Sequence, residues 1–130
     1  MLYSNVNEND FQELKKMLEE AGGEELEVWV SMGRLFMNGL DTELMLRFDQ
    51  INNKLCIARI RVRNKRRGIG TSVLKWLEDY ATKNGYTTIV IESTTTHEIN
   101  RFAEKHGFKP NKLTGIEEDG EFFGNWEKVL

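Results

Sequence analysis

At 130 residues the chain is long enough for one domain with a core of its own and too short for two comfortable ones. Three Trp, three Tyr and seven Phe exclude a disordered chain, and the lone Cys56 excludes an intramolecular disulfide or a cysteine-based metal cluster. The net charge of -3 hides an uneven layout: residues 1–50 carry 4 basic and 11 acidic side chains, residues 51–75 carry 8 basic and none acidic, and residues 76–130 carry 6 and 10. A confined basic block in an acidic protein suits a small polyanion and argues against a long nucleic acid, which favours a basic face over the whole domain.

In chain order, Asn7-Glu-Asn-Asp10 supplies capping side chains, with Asn9 and Gln12 spaced as a capping box. Phe11, Leu14, Met17, Leu18 and Ala21 follow at helical spacing, and Gly22-Gly23 ends the helix. Glu25 to Asn38 alternates around Ser31-Met-Gly-Arg34, which predicts a hairpin. Thr42 to Gln50 alternates more cleanly, with Leu44, Leu46 and Phe48 on one face. Asn52-Asn53-Lys54 turns the chain into a further strand, Leu55–Val62, whose simple alternation puts Leu55, Ile57, Arg59 and Arg61 on one face and Cys56, Ala58, Ile60 and Val62 on the other. Connections this short make these strands antiparallel neighbours.

Arg63-Asn-Lys-Arg-Arg-Gly-Ile-Gly70 is a basic glycine loop, followed by a helix striped by Val73, Leu74, Trp76, Leu77, Tyr80 and Ala81 and closed at Asn84-Gly85. Thr87–Glu92 is nearly all β-branched, as in a central strand covered on both faces. Thr94-Thr-Thr96 offers caps to a second helix, His97–His106, buried through Ile99, Phe102 and Ala103. The tail reads as a two-stranded hairpin turning at Glu117-Glu-Asp-Gly120, with Phe123, Trp126 and Val129 among the returning apolar positions. Trp29, Trp76, Trp126 and the Met residues read as core, and Cys56 as a buried inert thiol. The order predicts a single mixed α/β (α+β) domain over 1–130, with a mostly antiparallel sheet flanked by helices. An exposed terminal strand of such a sheet is able to pair across a two-fold axis, giving a homodimer.

A strand, a glycine loop and the start of a helix together make an anion site, because the first amides of the helix lack intrahelical acceptors and face whatever sits there. A P-loop is excluded, since Gly68-Ile-Gly-Thr71 has neither the spacing nor the lysine after the glycine. A dinucleotide site has Glu92 at the right remove, but Val73 stands where the third glycine belongs and the preceding strands are antiparallel. Lys65-Arg-Arg-Gly-Ile-Gly70 in its strand–helix setting resembles the [QR]-x-x-G-x-[GA] signature of the GNAT superfamily of acyl-CoA-dependent N-acetyltransferases. The strand Thr87–Glu92, the helix ending Phe102-Ala-Glu-Lys-His-Gly-Phe108 and the tail Trp126-Glu-Lys-Val-Leu130 extend the resemblance over residues 55–130.

The resemblance implies a fold with a splayed central strand pair and acetyl-CoA as co-substrate, without a metal. It also implies transfer of an acetyl group to a primary amine, on a small molecule or a protein, by direct attack in a ternary complex. Backbone groups of Ile60 and Val62 would pair with the pantetheine arm, and amides from Arg66 through Gly68, Ile69, Gly70 and Thr71 would hold the pyrophosphate. Arg63, Lys65, Arg66 and Arg67 would add charge, and Thr96 stands where the family often has an asparagine. Glu92, then His97, are the candidates for the base; against Glu92 stands a salt-bridging role. Ala103 occupies the position where many members carry a tyrosine that protonates the departing thiolate. That substitution motivates an alternative, a GNAT-like acyl-CoA-binding or regulatory module without turnover. Met1 to Asp10 lacks the features of a signal peptide, no apolar run nears about 20 residues, and a cytoplasmic setting off the membrane is expected.

Overall fold

The computed structural model describes residues 6–62 and 68–130. Asn7 caps a 3-10 turn at Glu8–Phe11 by accepting the Asn9 amide at 2.9 Å, two residues earlier than the predicted box. Helix α1, Gln12–Gly22, follows and stops at Gly23, whose φ of 68° is the left-handed conformation that glycine adopts without a Cβ penalty. Leu14, Leu18 and Ala21 form its buried stripe. Four strands come next: β1 (Glu27–Ser31), β2 (Arg34–Asn38), β3 (Glu43–Asp49) and β4 (Lys54–Arg61). Met32 and Gly33 turn β1 into β2 with φ of 49° and 76°, as a two-residue hairpin requires. Helix α2 (Ile69–Lys83), β5 (Thr88–Ile91) and helix α3 (His97–Lys105) complete the middle of the chain.

The seven-stranded sheet runs in the order β1-β2-β3-β4-β5-β9-β6, where β6 is Lys109–Pro110 and β9 is Trp126–Val129. All its pairings are antiparallel except β4 with β5. A separate hairpin pairs β7 (Ile116–Glu118) with β8 (Glu121–Phe123). One core joins the helices to one face of the sheet, with Phe11, Leu14, Leu18, Leu44, Leu46, Phe48, Leu77, Ile89 and Ala103 all completely or almost completely buried. Rings knit this core together: Phe11 lies 4.7 Å from Tyr80 and 5.9 Å from Phe48, while Trp76 stacks on Tyr80 at 5.6 Å.

Four expectations need correction. The simple alternation predicted for β4 fails at Ala58, because Leu46 pairs with Ile57 while the next residue, Met45, pairs with Arg59. That bulge inverts the phase, so Leu55, Ile57 and Ile60 share the core face with Leu44, Leu46 and Phe48, and Cys56, Arg59 and Arg61 take the other. The tail is not one hairpin but four strands, two of them in the main sheet; Phe122 rather than Phe123 is buried, and Val129 is exposed. The terminal strand β9 lies between β5 and β6 and is no edge, so the pairing surface expected there is absent. Trp29 is not core: it stacks on Phe36 at 5.0 Å on the far face of the sheet, and Met32 at the hairpin tip is exposed.

Candidate active site

β4 and β5 are parallel neighbours for four residues, from Lys54↔Thr88 to Ile57↔Ile91. One further bond, Glu92 N–H to the Ile57 carbonyl at 3.0 Å, closes the ladder. β5 then ends, while β4 continues to Arg61. The direction of the freed backbone follows from the register. Phe48 N–H donates to Gly33 on the β2 side, so Leu44 and Leu46 also face β2, while Glu43, Met45 and Arg47 face β4. Their β4 partners, Arg61, Arg59 and Cys56, therefore pair toward β3, and Ile57 and Ile60 direct their N–H and C=O groups toward the β5 side. Among the described residues no strand meets Ile60 there. The end of β5 thus leaves an opening in the sheet at the carboxyl ends of two parallel strands, with an unpaired strand edge along one wall.

Helix α2 is the next described element after β4. Gly68 sits at φ 86° as its N-cap and contributes no side-chain cap. The first intrahelical bond runs from Ser72 N–H to the Gly68 carbonyl at 3.0 Å. The amides of Ile69, Gly70 and Thr71 thus precede the helical ladder and point out of its positive end. Gly70 has a packing reason of its own: a Cβ there would come within 3.1 Å of the Phe102 ring of α3. Thr71 Oγ1 lies 3.3 Å from His106 Nε2, a contact the sequence did not suggest. Burial, helped by Lys105 and Lys128, lowers the His106 pKa from its ordinary value and favours the neutral ring. The basic side chains expected to join this turn, Arg63, Lys65, Arg66 and Arg67, lie outside the described residues. Val62 is buried and ends the approach to them.

Glu92 stands just past the end of β5 in a bidentate pair with Arg47 of β3, Nε to Oε1 at 3.2 Å and Nη2 to Oε2 at 3.0 Å. The same guanidinium donates to Cys56 Sγ at 3.4 Å, sealing the thiol beneath it. Burial, with Glu92 nearby, pushes the Cys56 thiol up to about 12, so it is inert as expected. Of the two roles open to Glu92, this geometry gives it the salt bridge.

Beyond Glu92 the chain is tied to the loop before β9. Ser93, at φ 49°, donates its amide to Asn125 Oδ1 at 2.8 Å. Buried Thr94 exchanges two bonds with Gly124, amide to carbonyl at 2.9 Å and Gly124 amide to Thr94 Oγ1 at 3.2 Å. Thr96 Oγ1 accepts the Ile99 amide at 3.2 Å and so caps α3. His97 places Nδ1 at 2.7 Å and 2.8 Å from the oxygens of Glu121 in β8. Ala103 is fully buried in the core. Sequence reasoning missed Arg47, Asn100 and Glu121. Asn100 was legible in part, since an asparagine three residues after His97 shares its helix face.

Residues 45–108 match the sequence model of the acetyltransferase (GNAT) family. No curated protein sequence matches the chain. Among solved structures, a candidate N-acetyltransferase from Lactobacillus plantarum is 25% identical with a TM-score of 0.55, the match covering 75% of this chain and 66% of that one. The match therefore spans slightly less than two thirds of that relative. An IAA acetyltransferase from Bacillus cereus is 15% identical with a TM-score of 0.55, over 75% of this chain and 79% of its own. An aminoglycoside 6'-N-acetyltransferase from Enterococcus faecium is 15% identical with a TM-score of 0.54, over 77% and 76%. The last two likenesses concern the fold alone. Among the described residues no group of side chains is arranged to hold a metal ion, and no helix is long and apolar enough to cross a membrane.

Proposed function

The chain belongs, through residues 45–108, to the acetyltransferase (GNAT) family, and on that premise we propose that it moves an acetyl group from acetyl-CoA to a primary amine by direct attack in a ternary complex. The observation that carries this reading is the opening past Ile57, where β4 runs on without β5. The pantetheine arm is an extended chain with two amides, and the outward groups of Ile60, with Val62 beyond, suit it as a further strand would. The diphosphate then falls at the start of α2, where the amides of Gly68, Ile69, Gly70 and Thr71 converge, with Arg63, Lys65, Arg66 and Arg67 supplying countercharge from the same loop.

The thioester lies at the mouth of the opening in this arrangement. The amine nitrogen attacks its carbonyl carbon, the C–N bond forms, and backbone amides at the wall of the opening face the developing oxyanion. The C–S bond breaks and the thiolate leaves. With a thiol pKa near about 8.5, a leaving group of this kind departs without an obligatory acid. That suits a chain with buried Ala103 where many relatives carry tyrosine. Thr96, which caps α3 by accepting the Ile99 amide, keeps its hydroxyl proton and one lone pair for a ligand.

Ala103 also favours a second reading, an acyl-CoA-binding module that does not turn over. Thiol release from acetyl-CoA, followed across a panel of small amines and lysine-containing peptides, separates the two. Turnover with any amine supports the transferase; tight acetyl-CoA binding with no thiol release from the whole panel leaves the binding module.

A further inference from the structure

Three polar side chains meet where the β7–β8 hairpin folds against α3, and the reading above gives them no task. His97 is the first residue of α3, five residues past Glu92, where β5 leaves the mouth of the opening. Its Nδ1 is held at 2.7 Å and 2.8 Å from Glu121. Asn100, one turn along α3 and only 4% exposed, donates Nδ2–H to Glu121 Oε1 at 3.3 Å. A carboxylate at Nδ1 takes the Nδ1–H bond and so fixes the tautomer, leaving the lone pair on Nε2. The His97 side chain is 66% exposed, so Nε2 is open to a ligand while Nδ1 is engaged. The hairpin cannot drift far from β5, because Thr94–Gly124 and Ser93–Asn125 tie its base to the end of that strand.

Resting on the transferase reading, we infer that His97 Nε2 is the proton acceptor for the attacking amine and that Glu121, anchored by Asn100, is its positioning residue. The acceptor arrives as an ammonium ion. Nε2 takes one proton and frees the nitrogen lone pair, which bonds to the thioester carbon. As the C–S bond breaks, the second proton leaves the nitrogen for the thiolate sulfur, giving amide and thiol; the imidazolium then releases its proton to water. Glu121 stabilises the imidazolium through Nδ1–H, as an orienting carboxylate does in a catalytic triad. Glu98 and Arg101 also carry charge on α3, and Glu117, Glu118 and Asp119 carry it on the hairpin; of these, Arg101 acts electrostatically on Glu121. Glu92 is instead held in a bidentate pair with Arg47, which favours its charged form as a structural partner.

The test is the pH dependence of kcat/KM for the wild type, H97Q, E121Q and E121D, with acetyl-CoA affinity measured on each. The wild type should rise with unit slope as a single group loses its proton, and then level off. H97Q should lose that limb and about 100-fold in rate, the scale of one proton-transfer group. E121Q should move the midpoint to lower pH, since the imidazolium loses its partner, and E121D should move it back. Acetyl-CoA affinity should stay within about twofold in all four, because none of these side chains is placed against the cofactor. A limb unchanged in H97Q, or a midpoint unmoved in E121Q, overturns the inference and leaves the transferase standing. A wild type that binds acetyl-CoA yet acetylates nothing overturns the transferase reading and this inference with it.

Discussion

A carboxylate at the end of a central strand, beside an opening for a thioester, has the position of a general base. Glu92 has instead the partners of a structural ion pair. Both its oxygens accept from one guanidinium, and that guanidinium also covers the Cys56 thiol. Glu92→Gln should therefore lower folding stability by about 1–2 kcal/mol, the scale for a partly buried charge-assisted pair, and leave kcat within about threefold. Urea denaturation and thiol-release kinetics on the same preparation check both halves; a hundredfold loss of kcat at unchanged stability would return Glu92 to the chemistry. Gly68 gives a second test at this scale. Its φ of 86° is left-handed, and a Cβ there meets no other atom within 4 Å, so Gly68→Ala isolates backbone strain. It should cost about 1 kcal/mol of stability, read as a shift in the thermal midpoint.

Gly70, two residues on, behaves differently because its constraint lies between elements. Its Cβ would press on Phe102 at 3.1 Å, where α2 meets α3. Gly70→Ala should be tolerated with a small shift of the ring, whereas Gly70→Val should push the helices apart and cost about 1–3 kcal/mol, the range for overpacking. The relief of that loss by Phe102→Leu in a double-mutant cycle identifies the contact. Elements with a single dominant signal were legible in the sequence: α1 between Phe11 and Gly23, the Met32-Gly33 turn, β3 with its strict alternation, and all-buried β5. β4 was not, because one inserted residue at Ala58 leaves no trace in residue type yet reverses which side chains and amides face the opening. The tail escaped for a related reason. β6 is two residues long and β9 four, and strands this short are specified by their neighbours, not by their own pattern.

The whole molecule couples its ion pairs to pH through the ends of the sheet. Glu127 in β9 is held below the usual glutamate range by the Asn111 amide and by Lys54 of β4, at 2.9 Å and 3.2 Å. A depressed carboxylate stabilises the fold above its unfolded pKa, near about 4.3, and loses that contribution as pH falls through the folded value. Urea midpoints measured from pH 7 to pH 3 should fall in the wild type and fall less steeply in Glu127→Gln, by about 0.5–1 kcal/mol for a partly exposed pair. Equal acid limbs would remove Glu127 from the account. The same scale explains what of the site the sequence could reveal. The glycine loop and Glu92 lie on one continuous strand–helix–strand segment, so their spacing shows. Arg47 with Glu92, Thr71 with His106 and His97 with Glu121 are joined only by folding across 45, 35 and 24 residues.

The central claim is that the cofactor lies along β4 where β5 has ended. Amide hydrogen exchange of the protein with and without saturating acetyl-CoA tests it residue by residue. The account predicts new protection at Ile60, Val62 and the Gly68–Thr71 turn, with Cys56, already paired to β3, and Ile57, already inside the β4–β5 ladder, unchanged. Protection confined to any other part of the sheet, or none despite saturation, would contradict it.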